Sequence, residues 1–216
     1  KSLGKSFKPS RTIIFAAFSG EEAGLVGSKY FVENYKKYPS NKILANLNFD
    51  TVGRLFENKL MLLNGNTARE WKFIFMGMEY TTGIPTQLIT QDLDASDQVS
   101  FIKEGIPAVQ FFSGPNEDYH KPSDTIEKLD PSGLVKVATV AKEVTTYLGN
   151  RKEEMAFIGV KSTSTPNSET PGEPKSSRRV STGTMPDFAF NGEGVKVASV
   201  SEGSAGEKAG LLKGDI

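Results

Sequence analysis

The chain has 216 residues, 37% hydrophobic and 24% charged, with 26 basic side chains balancing 26 acidic ones. That is ordinary globular composition, long enough for one large domain or one domain and part of another. Zero net charge gives no pull toward nucleic acid or a membrane surface. No apolar run approaches the roughly 20 residues that span a bilayer, and the absence of cysteine excludes disulfides and thiolate metal sites. The opening KSLGKSFKPS has no apolar signal-peptide core and no initiating Met, so a beginning inside a longer protein is expected.

The apolar run Ile13 to Phe18 reads as a buried strand, stopped by Ser19-Gly20 and followed at once by Glu21 and Glu22. Leu25, Val26, Tyr30, Phe31 and Tyr35 then suit an amphipathic helix. A polar link over 36–41 leads to a second strand, Ile43 to Phe49, ending on Asp50. Lys59 to Leu63 reads as a short strand, Asn64-Gly65-Asn66 as a turn, and Thr67 to Glu70 as a capping box. Trp71, Ile74, Phe75 and Met78 mark the core face of a helix. Thr86 to Thr90 suits a strand, and Ser96 to Glu104 a helix closed by Gly105. Ala108 to Phe112 is a third buried strand, and the loop after it contains Asp118, Tyr119 and His120. Asp130 and Pro131 open a last helix whose core face is read as Leu134, Val137, Ala138, Ala141 and Leu148. Strands alternating with helices predict an α/β layer fold with a mixed, mostly parallel sheet.

From 161 to 184 Ser, Thr and Pro dominate, the composition of a linker. Globular patterning resumes at Met185, with Val195, Val197 and Val200 on a strand and Ala205 to Leu212 on a helical turn. About 30 residues is too few for an independent core, so a partial second domain is expected over 185–216. The predicted division is a catalytic-type domain over 1–151, a linker over 152–184 and this remainder.

Glu21, Glu22, Asp50 and His120 each fall just beyond a predicted strand, and in α/β sheets the carboxyl ends of strands converge on a ligand crevice. Two neighbouring carboxylates resist joint ionisation unless a cation neutralises them. Carboxylate oxygens and an imidazole nitrogen suit zinc, and adjacent acids can divide labour between metal binding and general-base work. Taken singly, Glu21 and Glu22 equally suit the positive N-terminus of the next helix, and His120 suits an ordinary loop histidine. Their joint placement favours the site.

The blocks FSGEEAGLVGS, LNFDTVGR and GIPAVQFFSGPNEDYHKPSDT resemble those of the two-zinc aminopeptidases of peptidase family M28, a group related to glutamate carboxypeptidase and glutaminyl cyclase. The resemblance covers about 11–151. It implies a zinc exopeptidase-like fold, Glu21 as general base, Glu22 as ligand of one zinc with His120, and Asp50 as ligand of the other. It also implies a peptide or protein substrate and a secreted or periplasmic setting. Ser96-Asp97 resembles a family position lining the site, where Gln98 stands in place of the more usual His, Asn or Tyr. The tail GVKVASVSEGSAGEKAGLLKGDI resembles the central part of a bacterial-type PDZ domain, which implies a peptide ligand for it.

The family's full site needs a second histidine and a bridging aspartate from an upstream His-x-Asp motif. This chain has no other histidine. It is therefore expected to hold part of the site, to bind zinc weakly and to be inactive alone. Two other readings are a peptide-binding protein with a degenerate peptidase domain, and a one-zinc enzyme of the glutaminyl cyclase type.

Overall fold

The computed structural model describes residues 7–35, 43–93, 96–159, 182–187, 190 and 192–216. The chain divides into two compact units, one of 1–114 with 129–161 and one of 115–128 with 162–216. The link predicted over 36–41 and most of the predicted linker lie outside the described residues.

The first unit is built on a four-stranded sheet in the order β1 (Asn46–Phe49), β4 (Ala108–Phe112), β2 (Leu60–Leu63), β3 (Thr86–Leu88). β1 pairs with β4 in parallel, β4 with β2 antiparallel, and β2 with β3 in parallel. The sheet is therefore mixed, with two of its three pairings parallel, as expected. The period of two along β4 explains its two coats. Val109 and Phe111 join Leu60 and Leu62 in the larger core, with Trp71, Ile74 and Phe75 of α2 (Glu70–Thr82) and Val137, Val140 and Val144 of α4 (Pro131–Asn150). Ala108 joins a second cluster with Val32 of α1 (Val26–Asn34) and Phe101 of α3 (Gln98–Lys103). Helices thus cover both faces, which is why all five residues of β4 are buried.

Several sequence expectations are corrected. Ile13 to Phe18 forms no strand among the described residues, and Ile14 and Phe15 are 57% and 82% exposed. The segment is pinned at its ends. Arg11 bonds through its backbone N–H to Gly149 O (2.9 Å) and through Nε to Arg151 O (2.7 Å), while the Phe18 ring packs on Phe31 and Phe101. Thr67 makes no capping box. Its hydroxyl shares its one proton between Asn64 O and Ala108 O and accepts from Trp71 Nε1 (3.0 Å), because a buried hydroxyl between a strand and the core tryptophan is claimed by those partners first. The buried face of α4 runs through Gly133, Val137, Val140, Val144 and Leu148, leaving Leu134 and Ala138 exposed. Val26 and Tyr30 of α1 are exposed as well, its core contact coming from Ser28, Phe31 and Val32. Beyond α4 the chain stays on the first unit: Met155 is buried in the main core, and Phe157 bridges to Ala68.

In the second unit β5 (Thr184–Pro186) pairs antiparallel with β6 (Val197–Val200), and Ser204 caps α5 (Ala205–Lys208) by accepting the Glu207 N–H at 3.1 Å. Among the described residues no helix is long and apolar enough to cross a membrane.

Candidate active site

Glu21 and Glu22 sit on a tight turn, not on the helix that follows. Glu21 O accepts the N–H groups of Gly24 and Leu25, Gly20 O accepts that of Val26, and Ser19 O accepts that of Gly27. Gly20 and Gly24 take positive φ of 71° and 99°, and Leu25 precedes α1 in the left-handed region with φ 61°. A Cβ on Gly27 would lie 2.7 Å from Ser19 O, so glycine there lets the helix start lie against the entering chain. Next to it, Ser28 Oγ pairs with Ser100 Oγ at 2.8 Å in a buried contact that fixes α1 on α3. The blocks of small residues in SGEEAGLVGS thus have local reasons: they fold the chain back so that two acids stand at its bend.

Asp50 stands at the carboxyl end of β1, with Thr51 Oγ1 donating to its Oδ1 at 3.2 Å. The start of α3 is tied to the same strand end, since Asn48 Nδ2 donates to Ser96 Oγ and to Gln98 Oε1, both at 2.9 Å. Gln98 Nε2 in turn donates to Asn64 Oδ1 (3.0 Å) and Gln110 Oε1 (3.1 Å), so four side-chain amides from β1, the β2 turn, α3 and β4 form one network. Gln98 is fully buried, which explains why a long amide occupies this position: it is engaged by the sheet. Asp97, between the two anchored residues, has Oδ1 buried with no hydrogen-bond partner, a condition that costs about 1–3 kcal/mol. Asn48, Asn64 and Gln110 were not among the sequence candidates. The signal for them is a polar residue on an otherwise apolar strand, as in AVQFF.

His120 belongs to the second unit. It is exposed, has φ 58°, and stacks on Tyr119 with ring centroids 3.9 Å apart. In the same loop Lys128 Nζ pairs with Asp118 Oδ1, and the Glu127 carboxyl is held below its ordinary pKa by the Thr125 hydroxyl and then by its own backbone N–H. Thr51, Ser96 and His120 are three of six non-glycine residues at positive φ among the described residues, and each is or adjoins a residue of interest. Such conformations persist only where the surroundings impose them.

The donor types of Glu22, Asp50 and His120 suit zinc. Among the described residues, no group of three or more His, Asp or Glu side chains gathers as a metal site.

Residues 1–145 match the family model described as peptidase family M28. Leupeptin-inactivating enzyme 1 of Streptomyces exfoliatus is 32% identical over 122 residues, covering 56% of this chain and 26% of that protein. Among solved structures, the LapA aminopeptidase of Legionella pneumophila superposes with a TM-score of 0.62 at 23% identity, covering 70% of this chain and 43% of that one. BSAP, a zinc aminopeptidase from Bacillus subtilis, superposes with a TM-score of 0.53 at 27% identity, covering 64% and 36%. The chain therefore spans less than half the length of each.

Proposed function

This chain belongs to peptidase family M28, and on that premise we propose that the protein is a zinc-dependent aminopeptidase with Glu21 as its general base. The observation that carries the reading is the Ser19–Ser28 turn, which holds two acids at a backbone bend built by Gly20, Gly24 and Gly27. Glu22 and Asp50 are assigned to two different zinc ions, and His120 is assigned to the same ion as Glu22. When bound, the metal supplies Lewis-acid polarisation of the scissile carbonyl and of water. Glu21 takes the proton of the attacking water and returns it to the leaving amine. The amide network from Asn48 to Gln110 holds Asp97 at the same strand end as Asp50. The β5–β6 hairpin and α5 are read as part of a PDZ-like module that binds a peptide by strand addition.

The test is made in the complete protein. Glu21→Gln should keep zinc content and lower aminoacyl-amide turnover by about two to four orders of magnitude, whereas Glu22→Gln should lose zinc. The opposite pattern reverses the two roles. Turnover of N-terminal glutaminyl substrates alone identifies a cyclase, and turnover of neither substrate a non-catalytic binder.

A further inference from the structure

α2 buries Trp71, Ile74 and Phe75 on one face, yet its opposite face is also apolar. Phe73, Met76 and Tyr80 are 66%, 61% and 91% exposed, and Gly77 lies among them with open space where a Cβ would stand. At 100° per residue these four residues make a stripe about 100° wide. Apolar stripes of this kind on soluble proteins mark interaction sites. The stripe is also symmetric about its own middle. Phe73 and Tyr80 are equally distant from the midpoint of the Met76–Gly77 peptide, one on each side.

We propose that two copies of this chain associate by packing α2 against α2, antiparallel, about a two-fold axis beside Met76–Gly77. A two-fold interface uses one patch twice, and this patch meets that demand. Antiparallel packing brings Tyr80 of each copy onto Phe73 of the other, while Gly77 lets the two backbones approach. Phe73 and Gly77 line one side of a groove of about 300 Å³ whose other side is Tyr147 and Arg151 of the α4 end. Such a groove is large enough for a tyrosine ring. Its far end holds Glu70 Oε2 and Arg151 Nε, both without a hydrogen-bond partner, the polar end that a phenol suits. Charge agrees with the arrangement. Lys72 and Glu79 lie on one flank of the stripe near opposite ends of α2, so the two-fold sets Lys72 of each copy near Glu79 of the other.

Sedimentation of the full chain over a wide concentration range tests this, with the stripe altered where the monomer is indifferent. Gly77→Arg meets no atom within 4 Å and should abolish the dimer while leaving the melting temperature of the monomer unchanged or raised, since arginine is the better helix former. The chain has no cysteine, so Met76→Cys introduces a single thiol beside the predicted axis, and mild oxidation should yield a disulfide-linked dimer. A chain that stays monomeric at every concentration overturns the proposal. So does a dimer that survives Gly77→Arg or fails to cross-link through Met76→Cys. A monomer whose Met76→Cys thiol resists alkylation until unfolded overturns it as well, and assigns the stripe to another part of the same chain.

Discussion

Gly27 is the residue on which the acidic turn depends. The 2.7 Å and 2.9 Å distances from its would-be Cβ end on backbone atoms of Ser19, which cannot rotate away as a side chain would. Gly27→Ala should therefore destabilise the first unit by about 1–3 kcal/mol and shift the turn that carries Glu21 and Glu22. Denaturant melts followed by the fluorescence of Trp71, the one tryptophan, measure the first effect. In the complete protein the second effect reads as turnover falling further than zinc content. An unchanged melt would show that the chain around Ser19 yields more easily than its hydrogen bonds suggest. Gly24 offers the contrast: nothing lies within 4 Å of its would-be Cβ, and its φ of 99° is the only obstacle to a side chain.

Among the elements, α4 has the most fully described start. Asp130 precedes Pro131, accepts the Phe56 N–H at 2.6 Å and the Ser132 hydroxyl at 2.7 Å, and is buried. The Gly133 backbone N–H and then the Ser132 hydroxyl hold its carboxyl below the ordinary pKa. A carboxylate whose folded pKa is lowered contributes stability that is present above the unfolded pKa and lost as pH falls through the folded one. Asp130→Asn should thus melt below the parent at neutral pH, and the gap should close as pH drops below about 4. A gap constant down to acid pH would remove the charge from the account. Gly133→Ala should also destabilise, because its Cβ would crowd Asp130 Oδ2 (2.1 Å) and Leu55 Cβ (2.8 Å). This start was legible in the sequence, as were β4 and the Trp71 face of α2, because each depends on residues within one or two turns. Ile13–Phe18 departs from the strand its apolar run predicts for the complementary reason. A strand exists only where a neighbour supplies its hydrogen bonds, and apolar composition alone does not say whether that neighbour is present.

At the scale of the whole chain, the position of Asp50 at a strand end was readable, since it follows from the apolar run before it. The amide network was not, because Asn48, Asn64, Gln98 and Gln110 meet only after β1, β2, α3 and β4 are assembled. The same holds for the limit of the first unit. The family resemblance ends at Arg151, and composition changes only at 161; between them the chain returns beneath α2: Ala156 N–H donates to Glu70 Oε1 at 3.0 Å, Ile158 N–H donates to Thr67 O at 3.0 Å, and Met155 is 7% exposed in the main core. Thr67 is also the residue that holds the Trp71 indole, so this short return supports the centre of the sheet. Met155→Ala should therefore cost about 2–5 kcal/mol, the range for deleting a buried methionine side chain. Cutting the chain after Arg151 should cost more than cutting it after Gly159, because the former also removes the Ala156–Glu70 and Ile158–Thr67 hydrogen bonds and the Phe157 bridge to Ala68. Comparing the Trp71 fluorescence melts of the two truncated chains decides the matter. Equal midpoints would show that residues 152–159 rest on the first unit without stabilising it.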